Sequence, residues 1–257
     1  MIVASFNVNG IRARLEILLN WLATAKPDVV CLQETKVQDA DFPVAALNEA
    51  GYQVAYHGQK SYNGVAILSR QGLEDVRLGF SDGSHPDDAR LITARVGNIG
   101  VINTYVPQGQ AVGSEKFAYK LDWLRTLRRE LDRRWKPDEP VVWVGDLNVA
   151  RDDRDVYDPE ALRGEVCFHP DEQEALNFVM QWGMEDVFRR HVEEGGQFSF
   201  FDYRIPNGFK RKMGWRVDHV MASSVLAERS VRAWIDLAPR ALDKPSDHTP
   251  ICAEFGE

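Results

Sequence analysis

Three carboxylates far apart in the chain, Glu34, Asp146 and Asp247, invite a common explanation. Glu34 follows the apolar run DVVCLQ and Asp146 follows VVWVG, runs too short for helices, rich in Val and suited to buried strands. Asp247 stands in the triplet Ser246-Asp247-His248 near the other end of the chain. Carboxylates gathered at strand ends repel one another unless a hard cation with oxygen ligands sits among them. Mg2+ takes one or two carboxylates together with substrate phosphate oxygens, so this set suggests metal-assisted phosphate chemistry.

Other side chains extend that reading, each beside a plainer one. Asn7 closes the first apolar run within FNVNG, where its amide can serve a carboxylate or a phosphate-bound water, though a turn before Asn9-Gly10 accounts for it nearly as well. Lys36, two residues after Glu34, supplies a cation to the site or forms an ordinary surface ion pair. Asp146 and Asn148 in GDLNVA share one side of an extended chain, so one can take a proton while the other orients water. Tyr105 and Gln108 flank Pro107 in NTYVPQG and could donate to a phosphate oxygen. Asp218 and His248 can pair, and an Asp that keeps an imidazole protonated beside a phosphate is a recurring device.

These residues need elements to hold them. Alternating and Val-rich runs predict strands at 2–6, 28–33, 52–57, 64–69, 91–96, 100–105, 141–145, 198–203, 215–222, 231–235 and 250–255. Apolar faces predict helices at 11–25, 115–135 and 172–182, the first two stopped by Pro27 and Pro137. Strand pairs without regularly alternating helices argue for two sheets packed face to face with helices outside. The chain has 257 residues, 44% hydrophobic, enough for a sizeable core, and no linker or low-complexity tract divides it, so a single domain over 1–257 is expected.

A net charge of −8 argues against a general polyanion binder. Between Tyr203 and Val217, however, Arg204, Lys210, Arg211, Lys212 and Arg216 are interleaved with Phe209 and Trp215 and no acid, a local basic and aromatic loop. Its plain alternative is a solvated loop. Cys31, Cys167 and Cys252 show no metal-like spacing and read as reduced thiols. With no leader pattern and no apolar run near ~18 residues, a cytoplasmic protein without a membrane association is expected.

In this order and spacing, NVNG, LQETK, NGVAI, NTYVPQG, GDLNVA, GWRVD and SDHTPI resemble the exonuclease III family of DNA repair enzymes, the class II abasic-site endonucleases, over essentially residues 1–255. KFAYKL and FSFFDYR are similar to bacterial members, and the stretch 151–164 fits a divergent bacterial subgroup. The resemblance implies a DNase I-like, four-layered α/β sandwich, two packed mixed β-sheets flanked by helices. It also implies Mg2+-dependent hydrolysis of phosphodiesters in double-stranded DNA, at abasic sites and at 3′ termini, by a monomer in which Mn2+ substitutes. Carried onto this chain, it makes Glu34 the principal metal ligand with Asn7 and Asn9 beside it, and Asp247 a carboxylate near a second metal position. Asp146 and Asn148 match the pair that activates and places the attacking water, Tyr105 a phosphate contact, and Asp218 with His248 the pair that stabilises the developing charge. Lys36 and Gln108 match phosphate-side groups, and Phe200 and Trp215 the walls of a pocket for a sugar without its base. The basic loop residues Lys210, Arg211 and Lys212 are expected to meet DNA.

The chain departs from the pattern in places: Asn9 stands where some relatives carry Asp, Ala111 near where vertebrate relatives carry Arg, and Cys167 where Gly is frequent. A phosphatase or phosphodiesterase of the same fold acting on lipids, inositol phosphates or nucleotides is the nearest rival, and an inactive nucleic-acid-binding copy is a further one. KFAYKL, the basic loop and Trp215 favour DNA, and the full complement of expected site residues argues against an inactive copy.

Overall fold

Every residue of the segment Val29–Gln33 is buried, and its alternate side chains enter different cores: Val29 and Cys31 one, Val30 and Leu32 another. A strand covered on both faces reads as a continuous apolar run, which is why this stretch shows no polar alternation. The same holds at Val141–Asp146, with Val142 and Val144 on one side and Val141 and Trp143 on the other.

The protein is described here from a computed structural model covering residues 1–256. Along the chain lie β1 (Ile2–Asn7), α1 (Ile11–Ala25), β2 (Val29–Gln33), α2 (Val44–Glu49), β3 (Gln53–His57) and β4 (Val65–Ser69). There follow β5 (Glu74–Leu78), β6 (Leu91–Val96), β7 (Ile99–Tyr105), α3 (Glu115–Arg134), β8 (Val141–Asp146), α4 (Pro159–Leu162) and α5 (Pro170–Met180). The last part holds β9 (Met184–Asp186), α6 (Val187–His191), β10 (Asp218–Ser223), α7 (Ser224–Ala227), β11 (Ser230–Ile235) and β12 (Ile251–Phe255).

The strands make two six-stranded sheets, ordered β11-β12-β1-β2-β4-β3 and β5-β6-β7-β8-β10-β9. Both are mixed, since β1/β2 and β7/β8 pair in parallel and the remaining pairs are antiparallel. Val3, Val29 and Ile67 of one sheet pack against Ile92, Val101 and Val144 of the other. Outside the first sheet, Leu18, Trp21 and Leu22 of α1 cover Ala4, Val30 and Leu68, and outside the second, Trp123, Leu127 and Leu176 of α3 and α5 cover Ile102 and Trp143. Helix, sheet, sheet, helix is the expected four-layered α/β sandwich, and among the described residues no helix is long and apolar enough to cross a membrane.

Two expected strands differ. Residues 198–203 form no strand: Phe200 makes isolated bridges to Trp215 and His248, while Phe198 and Phe201 bury their rings. The aromatic residues there anchor a loop, a use that mimics a strand pattern. The strand expected at 215–222 starts only at Asp218, with Trp215 held by bridges to Val156 and Phe200. β5 escaped prediction because every one of its residues is exposed on a sheet edge, and the short helices α2, α4, α6 and α7 span at most six residues.

Candidate active site

Strand register gathers the site. Asn7 lies opposite Gln33 at the ends of β1 and β2, Tyr105 opposite Asp146 at the ends of β7 and β8, and Asp218 opposite Asp146 where β10 begins. One rim of the sandwich therefore collects them all. Beneath it a buried clasp joins the sheets: Gln33 Nε2 donates to Asn103 Oδ1 at 2.7 Å, and Asn103 Nδ2 donates to the carbonyls of Leu32 and Ala66. Glu34, just past β2, adopts left-handed backbone with φ 50°, which turns its carboxylate toward the second sheet.

The polar contacts are dense. Asn7 Nδ2 donates to Glu34 Oε1 at 2.8 Å and to Asp146 Oδ2 at 2.9 Å, bridging two carboxylates from different sheets. Lys36 Nζ lies 2.7 Å from Glu34 Oε2 and also reaches Asn9 Oδ1, while Asn9 Nδ2 donates to Asp247 Oδ1 at 2.9 Å. His248 Nδ1 is 2.7 Å from Asp218 Oδ2, and its Nε2 is 3.6 Å from Asp146 Oδ2. Burial alone would discharge that imidazole, but the Asp218 and Asp146 carboxylates override it and raise its pKa to about 10. Asp146 is pushed up to about 7 by burial and by its acidic neighbours Asp218 and Glu34, against His248. Glu34 is held below the usual carboxylate range by Lys36 and Asn7 despite its burial. Burial, then the carboxylates Glu34 and Asp146, keep the Tyr105 hydroxyl protonated far above its ordinary value.

A cavity of about 1050 Å³ opens over this floor, lined by Glu34, Tyr105, Asp146, Asn148, Asp247 and His248. Phe200 and Trp215 form one wall, their rings 5.7 Å apart, with Phe200 4.7 Å from the His248 ring. Gln108 lines it too, and shares with Lys36 a neighbouring cavity of about 450 Å³. Asp218 sits behind His248, and Asn7 is fully buried beneath. Lys210, Arg211 and Lys212 are exposed and line neither cavity.

The detail corrects two expectations. Asp146 and Asn148 are not neighbours on an extended chain: Asn148 has φ 50°, and its backbone N–H donates to Asp146 Oδ1 at 3.0 Å, so a turn joins them. Arg216 does not belong to the exposed basic loop; it is fully buried, with Asp155 and Asp186 as ion-pair partners. Arg204 is tied to Asp202. Cys167 lies in the cavity wall, within 3.8 Å of Gln108 Nε2 and Asn148 Oδ1, at φ 71° where a Cβ is strained and glycine is at ease. Burial pushes its thiol up to about 12, and all three cysteines are free.

Sequence reasoning missed Lys120, fully buried, which donates to the Asn148 carbonyl at 2.6 Å and pairs with fully buried Glu172. Its helical context hid it, since an amphipathic face gives no sign that one lysine points inward; KFAYKL was the only hint. Arg90, whose guanidinium lies 4.6 Å from the Tyr105 ring centroid and donates to its carbonyl, carried no motif at all.

Ligand atoms of Glu34, Asp146 and His248 all lie within 4.8 Å of one another. Two of the three are carboxylates, and His248 Nδ1 is already engaged by Asp218, so the oxygen donors here fit a hard divalent cation better than a thiolate- or imidazole-seeking one. Asp247 stands outside this group, held by Asn9.

This arrangement has close counterparts. The exodeoxyribonuclease III of Haemophilus influenzae is 38% identical, with 98% of each chain covered. An AP endonuclease from Archaeoglobus fulgidus superposes with a TM-score of 0.96 at 43% identity over the whole of both chains, and the 3′ phosphatase NExo from Neisseria, bound to a product DNA hairpin, with 0.95 at 36%. The profile of the Endonuclease/Exonuclease/phosphatase family matches residues 4–248, and the chain belongs to that metal-dependent family, in its exodeoxyribonuclease III branch.

Proposed function

We propose that this protein is a Mg2+-dependent DNA repair nuclease that hydrolyses phosphodiester bonds at abasic sites and at 3′ termini, acting as a monomer of one domain. The observation that carries the reading is the convergence of Glu34, Asp146, Asn148 and His248 on the floor of an aromatic-walled cavity. The names of the relatives, an exodeoxyribonuclease, an AP endonuclease and a 3′ phosphatase bound to DNA, point the same way.

Glu34 would hold the cation, with Asn7 beside it, and Mn2+ would substitute for Mg2+. The cation's contribution is to neutralise charge on the phosphate oxygens. Asp146, whose proton affinity is raised by burial and by its acidic neighbours, takes the proton of the attacking water, and Asn148 orients that water. His248, kept cationic by Asp218, donates to a phosphate oxygen as negative charge develops there. Tyr105 presents a neutral hydroxyl to the same phosphate. Phe200 and Trp215 pack against a sugar turned out of the helix, whose ejection costs least where a base is already missing. Lys36 and Gln108 face the neighbouring phosphate, and Lys210, Arg211 and Lys212 lend charge to the backbone farther out.

The test is incubation of duplexes carrying one abasic site or a blocked 3′ end with the protein in Mg2+ and in EDTA. Cleavage in Mg2+ that EDTA abolishes is the expected result. Hydrolysis of inositol phosphates or nucleotides with intact DNA substrates left untouched would overturn the reading.

A further inference from the structure

His219 is fully buried, follows Asp218 directly, and is not needed for the chemistry described above. Its Nδ1 lies 3.0 Å from Arg216 Nη1, and its Nε2 lies 2.8 Å from the carbonyl of Val149. A guanidinium only donates, so Nδ1 must accept, and a carbonyl only accepts, so Nε2 must carry the proton. The two partners thus dictate a neutral ring with a single tautomer. Arg216 cannot swing away to release it: Asp155 takes its Nε and Nη2 at 2.7 and 2.9 Å, and Asp186 takes Nη2 at 2.8 Å. Burial and the Arg216 charge lower the pKa of the ring to about 4, in keeping with that neutral form.

What His219 holds is the turn that carries Asn148. That residue sits in left-handed backbone, which Asn tolerates without requiring it, so the contacts on either side decide whether the turn keeps this geometry. On one side Lys120 donates to the Asn148 carbonyl, and on the other His219 donates to the next carbonyl, that of Val149. The Asn148 side chain is held in turn by Nδ2 donating to the Val106 carbonyl at 3.0 Å. His219 therefore spans from the strand of Asp218 to the turn of Asn148, joining the two halves of the site.

We propose that His219 is a positioning residue: as the neutral Nε2–H tautomer fixed by Arg216, it hooks the Val149 carbonyl and thereby sets where Asn148 places the attacking water. The proposal rests on the nuclease reading, because that reading gives Asn148 its task.

Two substitutions separate the hook from mere filling of space. In His219→Gln the amide Nε2 overlays the ring Nε2 and still donates to Val149, whereas in His219→Asn the Oδ1 overlays Nδ1, keeps the bond from Arg216 and loses the donor. On an abasic duplex, His219→Asn is expected to lower kcat about ten- to a hundredfold, the scale of a displacement below 1 Å, with KM and DNA affinity in EDTA unchanged. His219→Gln is expected to keep kcat within about threefold of wild type on the same reasoning. Nitrogen-15 spectra of the wild-type histidine rings, which need no activity, are expected to show the proton of His219 on Nε2 at neutral pH. A proton on Nδ1, an Asn variant with undiminished kcat, or Gln and Asn variants that lose kcat together in step with their Tm would each overturn the proposal. A wild-type protein that shows the expected tautomer yet cleaves no DNA would instead sink the nuclease reading and leave the hook as architecture only.

Discussion

Two charged regions serve the proposed function and are built in opposite ways. Glu34, Asp146 and His248 are separated by about a hundred residues each, yet strand register brings their ligand atoms within 4.8 Å on a buried floor. Lys210, Arg211 and Lys212 are consecutive, yet they are exposed on a loop and touch neither cavity. The floor is over-determined, each carboxylate having a bonding partner from another strand or loop, so a small change there alters chemistry. The loop is held at its base, where Phe209 meets Phe201 edge-on at 5.0 Å and both flank Arg240, while its cations are exposed. On the proposed function, the contrast is between groups fixed for a transition state and groups available for docking.

The sharpest way to break that contrast is to damage the floor without touching binding. Asp146→Asn and His248→Ala are each expected to lower kcat by roughly 10²–10⁴-fold while DNA affinity in EDTA stays nearly intact, as fits a proton acceptor and a charge stabiliser. A loss confined to KM would move both residues to the docking side.

Arg216 belongs by sequence to the loop and by burial to the floor. Arg216→Met is expected to cost about 3 kcal/mol in unfolding free energy, the low end for one lost partner of a buried ion pair, because Arg189 and Arg151 still contact Asp155 and Asp186. Neutralising Lys210, Arg211 and Lys212 together is expected to shift stability by less than about 0.5 kcal/mol. That triple change should instead lower the salt slope of DNA binding by at most about 0.9 for each phosphate the loop neutralises. Denaturant titration and affinity measured against salt decide both, and an unchanged slope would remove the loop from the interface.

Protons separate the regions as well. His248 has its pKa raised from 6.5 to about 10 in the fold, so its contribution to stability is fully present below pH 6.5 and is lost as pH rises through 10. The Tm advantage of wild type over His248→Ala should shrink across that window, while the loop triple variant should track wild type. A constant difference would contradict the raised pKa. The smallest effect expected is at the cavity wall: Cys167→Gly relieves left-handed strain and opens space beside Asn148, so the ratio of kcat/KM for an abasic duplex over a recessed 3′ end should rise by about tenfold or less.

How much of this could be read from the chain follows the same division. Strand-end residues announced themselves because Val-rich runs stop at Glu34 and Asp146, and register does the rest. The two-sheet packing with helices outside followed from strand pairs lacking alternate helices, and the family resemblance named the sandwich. The loop at 198–203 was misread because aromatic side chains anchoring a loop have the composition of a strand, and β5 was missed because an exposed edge strand has no apolar signature. Arg216, Lys120 and His219 stayed hidden for a different reason: their partners Asp155, Asp186, Glu172 and the Val149 carbonyl lie on other elements, and no local pattern marks a polar group as buried. The left-handed turn at Asn148 was likewise invisible, since Asn tolerates that backbone without requiring it.

The central claim is that Glu34 anchors the cation on the floor of this cavity, and the cleavage rate of an abasic duplex as a function of Mg2+ concentration, in wild type and Glu34→Gln, tests it most directly. The substitution keeps shape and removes one negative charge. The account expects a half-saturating Mg2+ concentration raised by about tenfold, with the rate partly restored at high Mg2+. A Glu34→Gln protein that cleaves at the wild-type rate in low Mg2+ would contradict it.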